Sequence, residues 1–361
     1  MPYTHFRYIA YEVPTAVQDR NAVFSGFKPG LPCPAVPRIP VVKIPNLANA
    51  KNRLLRLASI VDLAKIRIDQ TGTDNQSTLK VFVAPEFYFR PENSFARRNC
   101  PYNTYSYDEA VEIFDELDSM FAHPDFTDWL IVAGTVLWHW DNKDDERPNP
   151  NEPDPGGLNV PSDPNGRVYR NTAPYVRGGI SDSLKIIEKR VPSGIDGVPN
   201  PYAPKPDAYD DHFQKTFESW HSQKEHVFEI DSVRCGLEVC LDHADAADHR
   251  VLRTVLEKWH QMENAAPPAV DLHILTAGGM TIQEGAVAAR PNGYILRNDG
   301  YSNYPFSELR RVSRYNLFGW AMLAANKRPE DVVPLTGPQK LDVPGADFHT
   351  QQLVFYPSTS L

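Results

Sequence analysis

The chain has 361 residues, a net charge of −9, and 41% hydrophobic against 23% charged residues, an ordinary composition for a globular chain that buries a large core. The acidic balance and the lack of a long basic run argue against a nucleic-acid partner. No apolar run approaches the roughly 20 residues needed to cross a bilayer, and Met1 to Arg7 lacks a basic segment followed by an apolar one, so neither a membrane span nor a secretion signal is expected.

Along the chain, apolar positions Leu47, Leu54, Leu57, Val61, Ala64 and Ile66 recur at helical spacing and predict a helix over 47–68. Val81 to Ala84 is a short apolar run, read as a buried strand. A second helical stripe over 107–122 is followed by the strand-like run Trp129 to Gly134. Later strands are expected at 173–177, 183–189, 226–231 and 233–241, then a helix over 246–262 and a strand over 272–275. Further strands are expected at 293–298, 316–324 and 352–356. Buried strands alternating with helices define an α/β chain. The 33 prolines are concentrated, which predicts loop insertions at about 28–45, 91–106, 141–170 and 191–215 within a single domain spanning 1–361.

The four cysteines, Cys33, Cys100, Cys235 and Cys240, are scattered and include no CxxC pair. Neither a disulfide framework nor a structural zinc site is expected, and a reducing cytoplasm suits them.

Three chemically capable residues stand at strand ends. Glu86 closes Val81-Phe82-Val83-Ala84-Pro85-Glu86-Phe87, and a carboxylate in such apolar company needs a partner if buried. The bland alternative is a glutamate turned to solvent. Lys189 ends Ser183 to Ser193, where alternation places Lys185, Ile187 and Lys189 on one face. There the alternative is an edge strand kept soluble by its lysines. Cys240 ends the apolar strand of Val233-Arg234-Cys235-Gly236-Leu237-Glu238-Val239-Cys240-Leu241-Asp242-His243. A strand-to-helix turn favours a thiolate and offers backbone N–H groups to an oxyanion, whereas a cysteine elsewhere is often just a small buried apolar residue.

Taken in this order, Ala84-Pro85-Glu86-Phe87, Glu188-Lys189-Arg190-Val191-Pro192-Ser193 and Cys235-Gly236-Leu237-Glu238-Val239-Cys240-Leu241-Asp242 resemble the three motifs of the nitrilase superfamily of carbon–nitrogen hydrolases. Trp129 to Thr135, Asn171-Thr172-Ala173 and Leu275-Thr276-Ala277-Gly278-Gly279 extend the resemblance over most of the chain. The resemblance implies a four-layer α-β-β-α sandwich and a thioester mechanism. Cys240 would be the nucleophile, Glu86 the general base, and Lys189 with the backbone N–H of Leu241 the oxyanion site. Glu218, in Phe217-Glu218-Ser219, would assist Lys189. Asp242, His243 and Thr276 would line the oxyanion and substrate site. Neither metal nor organic cofactor is implied, and homo-oligomers are expected.

Some alternatives stay open. Lys185 faces the same way as Lys189. The run Asp242 to His249 could suggest a metal site, but it is read as a helix start whose acidic residues suit the dipole. The family's amidase branch usually has an arginine where this chain has Ala244. Asp242 resembles the amidase and carbamoylase branches, whereas the proline three residues after Lys189 resembles true nitrilases. The expected activity is therefore hydrolysis of a small amide or carbamoyl compound, with nitrile hydrolysis, acyl transfer or a non-catalytic binding role as alternatives. A papain-like protease would need a histidine partner in a recognisable context, and none is apparent. Loops carrying Tyr102, Tyr105, Tyr202 and Tyr209 are expected to line a polar pocket.

Overall fold

The computed structural model describes residues 2–15, 17–19, 22–25, 48–72, 74, 77–91, 104–141, 167–191, 225–246, 249–263, 269–301, 306–315, 329–343 and 351–361. Most of the four Pro-rich insertions, together with Cys33, Cys100, Tyr102, Tyr202, Tyr209, Glu218 and the strand expected at 316–324, lies outside these residues.

Among the described residues, ten strands make one sheet: β1 (His5–Glu12), β4 (Thr78–Val83), β5 (Tyr105–Ser106), β6 (Trp129–Val132), β7 (Val136–Asp141), β8 (Arg167–Arg177), β9 (Lys185–Glu188), β16 (Gln339–Asp342), β17 (Gln352–Phe355) and β18 (Thr359–Ser360). A second sheet has the order β10 (Val227–Ile230), β11 (Val233–Val239), β12 (Val270–Ala277), β13 (Ala289–Asp299), β14 (Ser307–Tyr315), β15 (Pro329–Pro334). A short hairpin pairs β2 (Val17–Asp19) with β3 (Ala22–Ser25). Parallel pairing of β1, β4 and β6 in the first sheet, and of β11, β12 and β13 in the second, places the continuous apolar runs at the sheet centres, where both faces are covered.

The helices are α1 (Ala48–Thr71), α2 (Tyr107–Phe121) and α3 (Val251–Glu263). Alternation along the strands sorts the core. One apolar cluster joins α1 and α2 to Ile9, Tyr11, Phe82 and Ile131 of the first sheet. The opposite-facing Tyr8, Ala10, Val81 and Val83 meet Cys235, Leu237, Val239, Leu272 and Ile274 of the second sheet. A third cluster packs Leu252 and Leu256 of α3 on Val270, Ala289 and Ile295. The fold is thus a mixed α/β arrangement of two sheets and few helices. No helix among the described residues is long and apolar enough to cross a membrane.

Two departures from the sequence reading have local causes. The strand expected to run through residue 241 stops at Val239, because Cys240 to His243 form a single 3₁₀ turn. The helix expected from 246 begins at Val251. The acidic run after Cys240 is therefore not a helix start; its first carboxylate, Asp242, is spent on other backbone groups, as the site geometry shows. The helix α2, by contrast, begins where expected, with a capping box in which Ser106 and Glu109 satisfy each other's backbone N–H.

Candidate active site

Glu86 sits in the turn after β4, where both sheets reach it. Its backbone N–H donates to Ala277 O of the second sheet at 3.3 Å, and its carbonyl accepts the Thr15 hydroxyl. Gly134, just past β6, is needed for this turn: a Cβ there would lie 2.3 Å from Pro85 O, and its φ is +80°. The side chain is fully buried. Oε1 accepts from Lys189 Nζ at 2.9 Å and from Asn171 Nδ2 at 2.9 Å. The lysine complements the carboxylate's charge and the asparagine amide adds a second donor, as a buried carboxylate requires.

Lys189 follows β9 and is also fully buried, with its ammonium 5.9 Å from the Phe87 ring centroid. Asn171 of β8 holds both members of the pair. Its carbonyl accepts the Lys189 N–H at 2.9 Å, while its side chain donates to Glu86. Lys185, at the start of β9, is exposed, so the two lysines have separate environments although only β9 lies between them.

Cys240 is 3% exposed and takes a left-handed φ of +48°, uncommon for a residue with a Cβ. Along β11 the odd-numbered side chains face the inter-sheet core. Strict alternation would turn residue 240 away, but the left-handed backbone keeps its side chain in that core with Val239. Such a conformation costs about 1–3 kcal/mol and persists only where the surroundings fix it. Cys235, fully buried in the same core, has its thiol pushed up by burial, as suits an inert apolar side chain.

The three segments are tied together. The Asp242 carboxylate accepts the N–H of Arg190 at 3.0 Å and of Val191 at 2.7 Å, joining the residues after Cys240 to those after Lys189. Burial pushes this carboxyl up, against the opposing pull of the Lys189 ammonium and the Val191 N–H. Thr276 on β12, paired with Val239, donates its hydroxyl to Ala84 O at 3.0 Å and so joins the cysteine strand's neighbour to the glutamate turn. Gly278 follows; a Cβ there would lie 2.9 Å from Glu86 Oε2 and from the Phe87 ring.

Asp242 and Thr276 thus link the Cys240 turn and its neighbouring strand to the segments of Lys189 and Glu86, whereas the His243 ring turns to Glu238, on the α3 side of the second sheet. Leu241 is half-buried within the turn, and the His243 ring donates to Glu238 at 2.8 Å. Glu218 lies outside the described residues. Tyr105 does not face this site: it is buried in the core beneath α1 and α2, with its hydroxyl on Asn49. Sequence reasoning passed over Asn171, Gly278 and Glu238. Asn171 and Gly278 fell within segments that carried the resemblance, but no periodic or spacing signal singles them out.

No protein-family profile matches the sequence, and no curated protein does. Solved structures do. One is a cysteine-to-alanine mutant of the amidase from Nesterenkonia sp. AN1 in complex with butyramide, at 11% identity and a TM-score of 0.38, covering 99% of this chain and 91% of that one. Another, at 10% identity and a TM-score of 0.40, is such a mutant of the Nesterenkonia AN1 amidase, covering 100% and 92%. That neighbour is an amidase of the nitrilase superfamily. A third, at 10% identity and a TM-score of 0.39, is a glutamate-to-glutamine mutant carrying the acetamide moiety of fluoroacetamide on its active-site cysteine, covering 99% and 90%.

Proposed function

We propose that this chain is a hydrolase of non-peptide carbon–nitrogen bonds, of the amidase type, working through Cys240, Glu86 and Lys189. The observation that carries this is the fully buried Glu86–Lys189 pair at 2.9 Å, linked through Asp242 to the left-handed turn that presents Cys240. A buried ion pair is weak support for stability and is better explained by chemistry.

In this scheme Glu86 takes the thiol proton as sulfur attacks the carbonyl carbon of a small amide. The carbonyl oxygen gains the negative charge, met by the Lys189 ammonium and the Leu241 N–H. When the tetrahedral adduct collapses, the carbon–nitrogen bond breaks. The proton held by Glu86 passes to the nitrogen, and ammonia or an amine leaves a thioester on Cys240. Glu86 then takes a proton from water, which attacks the thioester; the carboxylic acid departs and the thiol is restored. Asn171 keeps the Glu86 carboxylate aimed while Lys189 serves the oxyanion. No step needs a metal or organic cofactor.

The same proposal assigns a four-layer α-β-β-α stack within one domain. It is supported by the three apolar clusters: helices on the first sheet, sheet on sheet, and α3 on the second. The test is ammonia release from a panel of amides, carbamoyl compounds and nitriles by wild type, Cys240→Ala, Glu86→Gln and Lys189→Ala. Turnover of amides by wild type alone is expected. Preferential turnover of nitriles would move the assignment to a nitrilase, and activity in Cys240→Ala would end it.

A further inference from the structure

On the α3 side of the second sheet, behind the turn that carries Cys240, three buried side chains close a hydrogen-bonded group. Glu238, two residues before Cys240, is its hub. Oε2 accepts from His243 Nδ1 at 2.8 Å and from His273 Nε2 at 2.8 Å. Oε1 accepts the Leu252 N–H at 2.5 Å, at the start of α3. The proton positions follow from the partners. His273 Nδ1 accepts the Ala288 N–H at 3.2 Å, so its own proton is on Nε2. His243 Nε2 is buried with no hydrogen-bonding partner among the described residues, which suits a bare lone pair better than an orphaned N–H. Both rings are therefore neutral donors to one carboxylate.

These three residues lie close enough together to suggest a metal site, with ligand atoms within 4.8 Å of one another. The tautomers oppose that use. A metal on His273 Nε2 would need the position its proton occupies, while the Ala288 N–H blocks the proton from moving to Nδ1. The group fastens segments together instead.

What it fastens is the nucleophile turn. Cys240 to His243 form one 3₁₀ turn whose first residue is strained, with φ +48°. The near end is set by β11, where Val239 pairs with Thr276. The far end carries two attachments among the described residues, Asp242 to the Arg190 and Val191 N–H groups and His243 to Glu238. We propose that Glu238 and His243 are positioning residues for Cys240, a clamp that ties the end of the nucleophile turn to the strand before it. The inference rests on Cys240 being the nucleophile, as proposed above. Neither residue touches the reacting atoms; they act through the backbone that holds the thiol and the Leu241 N–H.

The clamp depends on a donor at the Nδ1 position. An asparagine amide nitrogen falls close to that place, and a glutamine nitrogen reaches toward Nε2 instead. Glu238→Gln keeps the shape but puts a donor in place of one of the two accepting oxygens, facing either the Leu252 N–H or the two ring N–H groups. The experiment measures kcat and KM on the best amide of the panel, together with the rate at which iodoacetamide alkylates Cys240, read by peptide mass spectrometry. Variants are His243→Asn, His243→Gln and Glu238→Gln, and alkylation of Cys235 reports unfolding. In folded His243→Gln and Glu238→Gln, kcat and Cys240 alkylation are expected to fall by about tenfold to a hundredfold with KM little changed, the scale set by a misplaced reacting group. His243→Asn is expected to recover most of the loss.

Wild-type rates in all folded variants, or an Asn variant as poor as the Gln variant, would overturn the clamp. If Glu238→Gln does not fold, the comparison of Asn with Gln at position 243 decides. If wild type releases no ammonia, the amidase proposal fails on its own, and the alkylation rates alone still support or overturn the clamp. A wild-type Cys240 no more reactive than Cys235 overturns both.

Discussion

The Asp242 carboxylate accepts the Val191 N–H at 2.7 Å, so the residue two past Cys240 is fastened to the residue two past Lys189. One side chain thereby sets the spacing of two motifs that lie far apart in sequence. Asparagine at 242 keeps the shape but only one accepting oxygen, and its amide nitrogen would face an N–H. Asp242→Asn is expected to lose about 2 kcal/mol of stability, the scale of a buried charged acceptor left mismatched. It should also lose amidase activity under conditions where it remains folded. Urea melts and ammonia release check this; an unchanged melt with full activity would show that the link is incidental.

Asn171 and Gly278 bound the Glu86 carboxylate from two sides. Asn171→Ala removes a donor to Oε1, and Gly278→Ala puts a methyl group only 2.9 Å from Oε2, closer than such atoms pack. The carboxylate cannot swing away cheaply while Lys189 and Asn171 hold it. Both variants are expected to fold and to lose roughly tenfold or more in kcat, since small displacements of a catalytic group are expensive. Steady-state kinetics beside circular dichroism would measure this, and a Gly278→Ala enzyme at full rate would mean that Glu86 is not constrained there.

Lys185 of β9 and Lys189 just after it should behave oppositely. Lys185 is exposed, and Lys185→Ala is expected to turn over like wild type. Lys189→Ala leaves the Glu86 carboxylate without its buried cation, a change that typically costs about 3–5 kcal/mol, and it also removes the proposed oxyanion donor. A reversed pattern would assign the chemistry to Lys185.

Stability should fall with acid for a reason remote from catalysis. His226 is fully buried, with Nδ1 donating to Leu237 O at 2.9 Å, and burial together with the nearby Arg190 lowers it from 6.5 to about 4. The folded imidazole thus resists a proton that the unfolded chain accepts. Its contribution is present above pH 6.5 and is lost as pH drops toward 4, on the order of 3 kcal/mol in all. Denaturant melts across that range should show the slope in wild type and a shallower one in His226→Gln. Parallel slopes would place the acid sensitivity elsewhere.

Much of this was legible in the sequence. Glu86 and Cys240 each end an apolar run, and Lys189 closes a mixed strand; a charged or reactive group at such a place stands out. The helices α1 and α2 followed their apolar spacing, within a few residues at each end. The strand β1 was not anticipated, because HFRYIAYE mixes polar and apolar residues in a way that hides its burial on both faces. The start of α3 was set too early because an acidic run is ambiguous: the same residues that favour a helix start can accept backbone N–H groups from another segment, as Asp242 does. The contacts of Asn171 and of the Glu238–His243–His273 group could not be read from the sequence, although Asn171, Glu238 and His243 lie in segments that carried the resemblance. Their roles are hydrogen bonds between distant segments, and such bonds leave no period in the chain.

The most direct test of the central claim is to quench the enzyme in acid during turnover of its best amide and weigh the protein. A mass increase equal to the acyl group, mapped to the peptide that carries Cys240 and absent from Cys240→Ala, is expected. Ammonia release with no acyl group on that peptide, or with the group on another residue, would contradict a Cys240 thioester.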